Sequence, residues 1–189
     1  AGAVFELPVC YASGSAEYFA MGAVSLLDRL GVTDAVCFGS ECNDLDSLWD
    51  IARILLDEPE AYKESLREAL KNGQSYPAAR KKAVSDYTGN ERLASLLDDP
   101  NNILGIEYLK ALRRLNSSMV PYTILRKGSH YHDSSINGRF SSASAIRSLL
   151  AYSSSSLRTD RSGGSFDDTP FSNIPVSYTH LTLPTILRV

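Results

Sequence analysis

The sequence predicts an α/β protein built on a parallel, Rossmann-like sheet. Three observations predict it: short β-rich apolar runs at 4–9, 35–38 and 122–125, amphipathic helical spacing between and after them, and turn residues where each run stops. Strand, helix and strand within the first part of the chain form a βαβ unit, which implies parallel strands and a right-handed crossover.

The first run, Val4-Phe5-Glu6-Leu7-Pro8-Val9, is closed by Pro8 and the small-residue turn Ala12-Ser13-Gly14, and suits a buried strand. Ser15 is placed to cap a helix in which Phe19, Ala23, Leu26, Leu27 and Leu30 recur at helical spacing until Gly31 stops it. Ala35-Val36-Cys37-Phe38 is the second strand and runs into Gly39-Ser40-Glu41. A helical insert over about 44–98 follows, because 45–56, 59–71, 77–87 and 91–97 each show amphipathic spacing, with Gly73, Gly89 and Pro100 as punctuation. Asn101 and Asn102 are expected to cap a helix from Ile103 to about Leu115. Tyr122-Thr123-Ile124-Leu125 reads as the third strand, and Ser141 or Ser142 caps a last helix through Tyr152. The partial α/β domain is therefore expected over 1–152.

Composition bounds the function. The 189 residues carry 19 Lys+Arg against 22 Asp+Glu, a formal net charge of −3, and 43% are hydrophobic. That balance suits one globular domain with a tail. No apolar run approaches the ~20 residues that cross a bilayer, and no signal-peptide pattern is present, so a cytoplasmic protein without a membrane partner is expected. Cys10, Cys37 and Cys42 lack any C-x-x-C spacing and are expected as reduced, mostly buried thiols with no metal site. The mild acidity argues against a whole-surface nucleic-acid footprint and leaves room for a local basic patch.

The ends differ in character. No Met precedes the first periodic segment, so the chain is expected to begin inside a fold. Ser153 to Ser156 is a serine run and 158–168 is rich in Gly, Ser and Asp, which reads as linker or disorder over 153–175. The stretch from Val176 through Tyr178, His180 and Leu183 to Thr185 resembles the translation of a transposase mosaic end and adapter used in sequencing libraries. Residues 176–189 are therefore set aside as non-native, with a short β-rich strand as the other reading.

Candidate binding residues lie where open α/β sheets take ligands, at strand carboxyl ends and helix N-termini. Gly39 directly follows the second strand, where a missing side chain lets a ligand approach, although a plain turn glycine fits equally well. Asn101 or Asn102 could read an adenine or ribose edge as well as cap. Arg126 and Lys127 end the third strand, where phosphate or plain solvent could meet them. Ser141, Ser142, Ser144 and Arg147 gather hydroxyls, free amides and a guanidinium at a helix start, a phosphate cradle or a capped surface helix. His130-Tyr131-His132-Asp133 lacks metal-ligand spacing and reads as a structural or substrate-lining loop. Arg80-Lys81-Lys82 and Arg113-Arg114 are local basic clusters, read first as solvated helix faces and second as RNA contacts.

Taken together, Phe5-Glu6-Leu7-Pro8-Val9, Ser15-Ala16-Glu17-Tyr18-Phe19-Ala20, Cys37-Phe38-Gly39-Ser40-Glu41, Ser75 through Arg80, Pro100-Asn101-Asn102-Ile103-Leu104-Gly105, Tyr131-His132-Asp133 and Ser141 to Arg147 resemble the bacterial tRNA(Met) cytidine acetate ligases. These are members of the H-x-G-H nucleotidyltransferase-like superfamily, of HUP type. The resemblance implies an enzyme that uses ATP, with Mg2+, to activate acetate as acetyl-adenylate and then acetylates N4 of the wobble cytidine of elongator tRNA(Met). It implies ATP contacts at Gly39, Asn101 and Arg126, and a phosphate motif over Ser141, Ser142 and Arg147. The H-x-G-H signature does not occur in the chain and is expected upstream of Ala1, so catalytic residues are unassigned and the isolated polypeptide is expected to be inactive. Asn43 stands where the family often has Gly. A small-metabolite adenylyltransferase and a non-catalytic nucleotide-binding protein are the alternatives.

Overall fold

The computed structural model describes residues 3–126 and the strand pair 185–186. Residues 4–8, expected as a strand, form none: the chain is irregular there and enters a short helix, α1 (Val9–Ala12). A strand needs a neighbour to take its backbone hydrogen bonds, and among the described residues none runs beside this one. The parallel pair of the fold is therefore β1 (Ala35–Ser40) with β2 (Val120–Leu125), registered from Ala35 opposite Val120 to Ser40 opposite Leu125. On the other side of β1, β3 (Thr185–Ile186) pairs antiparallel, Cys37 opposite Ile186. Two residues of the stretch set aside from the fold thus lie in the sheet, because an unpaired strand edge accepts any extended segment.

Between α1 and β1 runs α2 (Ala16–Leu30), which Ser15 caps by accepting from Tyr18 N at 3.4 Å and Gly31 closes at φ 66. Its innermost residues are Ala20, Gly22, Val24 and Leu27; Phe19, Ala23 and Leu26 pack on the core less deeply. The crossover from β1 to β2 is wholly helical: α3 (Leu45–Asp57), α4 (Glu60–Lys71), α5 (Tyr76–Thr88), α6 (Glu91–Ser95), a 3-10 turn (Leu96–Asp98) and α7 (Pro100–Arg114). The expectation that Asn101 and Asn102 cap α7 is corrected. Pro100 opens the helix, its missing N–H costing nothing at that position, and both asparagines sit inside the first turn.

The core sits between β1 and its helices. Along β1 Val36, Phe38 and Ser40 are buried, alternating with half-buried Ala35, Cys37 and Gly39. Phe38 meets the Tyr108 ring of α7 at 5.7 Å between centroids. The apolar cluster continues through Leu48, Ile51 and Leu55 of α3 to Tyr62 and Val84. The expectation of mostly buried thiols is also corrected: Cys10 is exposed, Cys37 and Cys42 are half-buried, and all three are free. Among the described residues no helix is long and apolar enough to cross a membrane. The helix expected over 142–152 lies outside the described residues.

Candidate nucleotide site

Because β1 and β2 are parallel, their carboxyl ends emerge side by side. The Arg126 N–H donates to the Ser40 carbonyl at 2.9 Å, carrying the pairing one residue past β2. Gly39 and Arg126 are thereby neighbours: a Cβ built on Gly39 lies 4.0 Å from the Arg126 Cβ and meets nothing nearer. The glycine leaves an open sheet surface there, beside an exposed guanidinium with no ion-pair partner among the described residues.

The turn after β1 is held from three directions. Ser40 Oγ and Thr123 Oγ1 are 2.6 Å apart, joining the two strand ends, and Ser40 Oγ also accepts from Asn43 N at 3.0 Å. Asn43 takes φ 49, a left-handed conformation that favours Gly and that Asn tolerates, which accounts for Gly at this place in the family motif. Asp44 then caps α3, accepting from Ser47 N at 3.1 Å and Ser47 Oγ at 2.7 Å, and these bonds hold its carboxyl below the usual range. Burial pushes the Cys37 thiol up.

The N-terminus of α7 meets this turn. The Glu41 carboxylate accepts from Asn102 N at 2.9 Å and from Asn101 Nδ2 at 2.5 Å, placing negative charge at the positive end of the helix. Asn102, fully buried, answers in the other direction: its Oδ1 accepts from Glu41 N at 3.0 Å and Cys42 N at 3.2 Å, and its Nδ2 donates to Asp99 at 3.2 Å. Asn102 is thus wholly occupied with structure, and Asn101 is the asparagine left at the surface of the site.

Of the predicted positions, Gly39, Asn101 and Arg126 lie around one strand-end turn, while Ser141, Ser142, Arg147, Lys127 and His132 lie outside the described residues. Glu41 was not singled out from sequence; the pairing of Gly-Ser-Glu after a strand with Pro-Asn-Asn at a helix start was its only trace. The basic clusters are largely neutralised: Lys81 meets Asp98 and Lys82 meets Asp86, each at 2.5 Å, Arg114 pairs with Glu17, and Arg80 lies 3.9 Å from Glu107.

The family described as HIGH Nucleotidyl Transferase matches residues 1–168. A tRNA(Met) cytidine acetate ligase of Acetivibrio thermocellus is 49% identical over 166 residues, which are 87% of this chain and 38% of that protein. One of Clostridium novyi is 49% identical over 146 residues, 77% of this chain and 36% of that protein. Among solved structures, apo Thermotoga maritima TmcAL superposes with a TM-score of 0.75 at 44% identity, over 78% of this chain and 36% of that one. The same protein bound with alpha-thio ATP gives a TM-score of 0.69 at 40% identity, over 81% and 36%. The chain therefore spans little more than a third of the length of these relatives.

Proposed function

The chain belongs to the HIGH nucleotidyl transferase family, and we propose that it supplies part of the ATP site of a tRNA(Met) cytidine acetate ligase. The observation that carries this reading is that Gly39 and Arg126 are neighbours at the carboxyl ends of two parallel strands, with Glu41 of the turn that follows holding Asn101 at the start of α7. The names of the relatives support the choice of acetate and tRNA(Met) over another small substrate.

In this reading Gly39 leaves room for the nucleotide, Asn101 meets its nucleoside end, and Arg126 pairs with phosphate oxygens. Ser141, Ser142 and Arg147 complete the phosphate cradle. Mg2+ bound with the triphosphate would add to the charge neutralisation that Arg126 supplies. An acetate oxygen bonds to the α-phosphorus while the bond to the pyrophosphate oxygen breaks, giving acetyl-adenylate and pyrophosphate. The N4 amine of the wobble cytidine then attacks the acetyl carbonyl, AMP leaves, and the amine loses a proton. Neither step requires a protein nucleophile; both require charge neutralisation and in-line placement, which arginine, asparagine and glycine can provide.

The substrate places the enzyme in the cytoplasm, and the 189-residue chain alone is inactive in this reading. Its α/β part ends near residue 152, 153–175 is linker, and 176–189 is translated adapter; sequencing the source DNA across residue 176 tests this, and matching genomic sequence would refute it.

ATP binding tests the site. Melts of the chain at rising ATP should show a stabilisation that follows mass action. Arg126→Ala and Asn101→Ala should each weaken ATP by roughly tenfold or more. An unchanged affinity in both variants removes the site from these residues.

A further inference from the structure

The contact between Glu41 and Asn101 bears on which base the site accepts. A carboxylate offers only acceptors, so the part of the Asn101 amide that faces Glu41 Oε1 at 2.5 Å must be the Nδ2 amino group. Reversing that amide would place two acceptor oxygens together. Asn101 Oδ1 is consequently turned away from Glu41, and among the described residues it accepts no hydrogen bond. Asn102 cannot serve in its place, because its carbonyl and its amino group are already engaged within the turn.

Building on the ATP-site reading above, we propose that Glu41 is the positioning residue that sets purine specificity, locking Asn101 so that Oδ1 accepts from the 6-amino group of adenine. A 6-oxo purine would set an acceptor against an acceptor and leave both unpaired, which is the way hydrogen-bonding sites reject close analogues. Adenine is thus selected by an amide that cannot turn over.

The lock makes a sharp expectation for Glu41→Gln. The Asn102 N–H needs an acceptor, so the glutamine carbonyl takes the place of Glu41 Oε2 and its amino group faces Asn101. Asn101 must then present Oδ1 to the glutamine and its amino group to the base. The preference reverses.

Calorimetric titration of the full chain with ATP and with inosine triphosphate, which differs at the 6-position, tests this. The wild type should bind ATP at least roughly tenfold tighter. Glu41→Gln should bind inosine triphosphate tighter than ATP, with a melting curve that shows it folded. Asn101→Ala should bind the two nucleotides alike, and adding Glu41→Gln to it should change nothing further. A Glu41→Gln ratio within about threefold of wild type overturns the proposal, as does equal wild-type affinity for both nucleotides. If Glu41→Gln does not fold, Asn101→Ala decides: a retained ATP preference overturns the proposal and a lost one supports it. No ATP binding by the wild type overturns this inference together with the site reading, whereas ATP binding with an unmoved ratio overturns this inference alone.

Discussion

Asp44 shows how much a single side chain settles at the edge of the site. Both of its carboxylate oxygens bond to Ser47 in the first turn of α3, and Asp44 caps that helix at the end of the turn that carries Glu41. Those bonds, first the hydroxyl and then the backbone N–H, favour the ionised form and depress its pKa below the ordinary 3.8. A depressed folded-state pKa adds stability that is fully present above the unfolded value and is lost as pH falls through the lowered one. Asp44→Asn keeps a capping acceptor but does not titrate. The wild-type advantage at neutral pH should be at most about 1 kcal/mol, since the group is exposed. It should shrink as pH falls below about 4, which paired thermal melts across that range would measure; a constant difference would contradict the capping account. Glu17, held low first by its bond to Arg114, and Asp86, held low first by Lys82, shift stability in the same direction.

At the scale of elements, the seating of α7 on β1 decides where Asn101 and Asn102 arrive. The contact is close because residue 105 is glycine: a Cβ there would lie 2.6 Å from Phe38 Cε2 and 3.1 Å from Cδ2. Helix propensity alone favours alanine by about 1 kcal/mol. Phe38 is buried against Tyr108 and has nowhere to withdraw, so overpacking wins and Gly105→Ala should destabilise by roughly 1–3 kcal/mol. Urea denaturation of Gly105→Ala and of Gly105→Ala with Phe38→Leu checks this, the second change recovering part of the loss. The sheet is the other element-scale feature. β1 is paired along its full length by β2 and over only two of its six residues by β3, so the rest of its second edge depends on whatever extended segment lies beside it.

Across the whole described fold, a charge network ties α2, α5 and α7 together. Glu107, only 5% exposed, lies 2.7 Å from Lys110 Nζ at ion-pair distance and 3.9 Å from Arg80; Lys110, 8% exposed, also reaches Glu17 at 3.8 Å. Glu107→Gln removes the buried negative charge and leaves Lys110 and Arg80 under-compensated, so it should cost about 3–5 kcal/mol. Glu107→Leu combined with Lys110→Met should cost less than Glu107→Gln alone, and denaturant melts of the three proteins would show it. Much of this fold was legible beforehand. The helices between 16 and 114 and the strands at 35 and 122 follow from apolar period, and Ser15, Gly31 and Gly89 mark ends because caps act within a few residues of themselves. Gly39 and Arg126 could be placed at strand ends for the same local reason. The strand expected at 4–9 does not form, since β structure needs a partner that the segment's own pattern does not supply. The pairing of Glu41 with Asn102 was not legible, its mutual bonds joining positions 61 residues apart. Most helices, the two parallel strands and the positions around a strand-end turn could thus be read from local pattern, because periodicity and capping are short-range. That Asn102 is spent on the turn while Asn101 is held by Glu41 beside it came from the folded arrangement, because hydrogen-bond partners distant in the chain exist only once the helix is seated on the sheet.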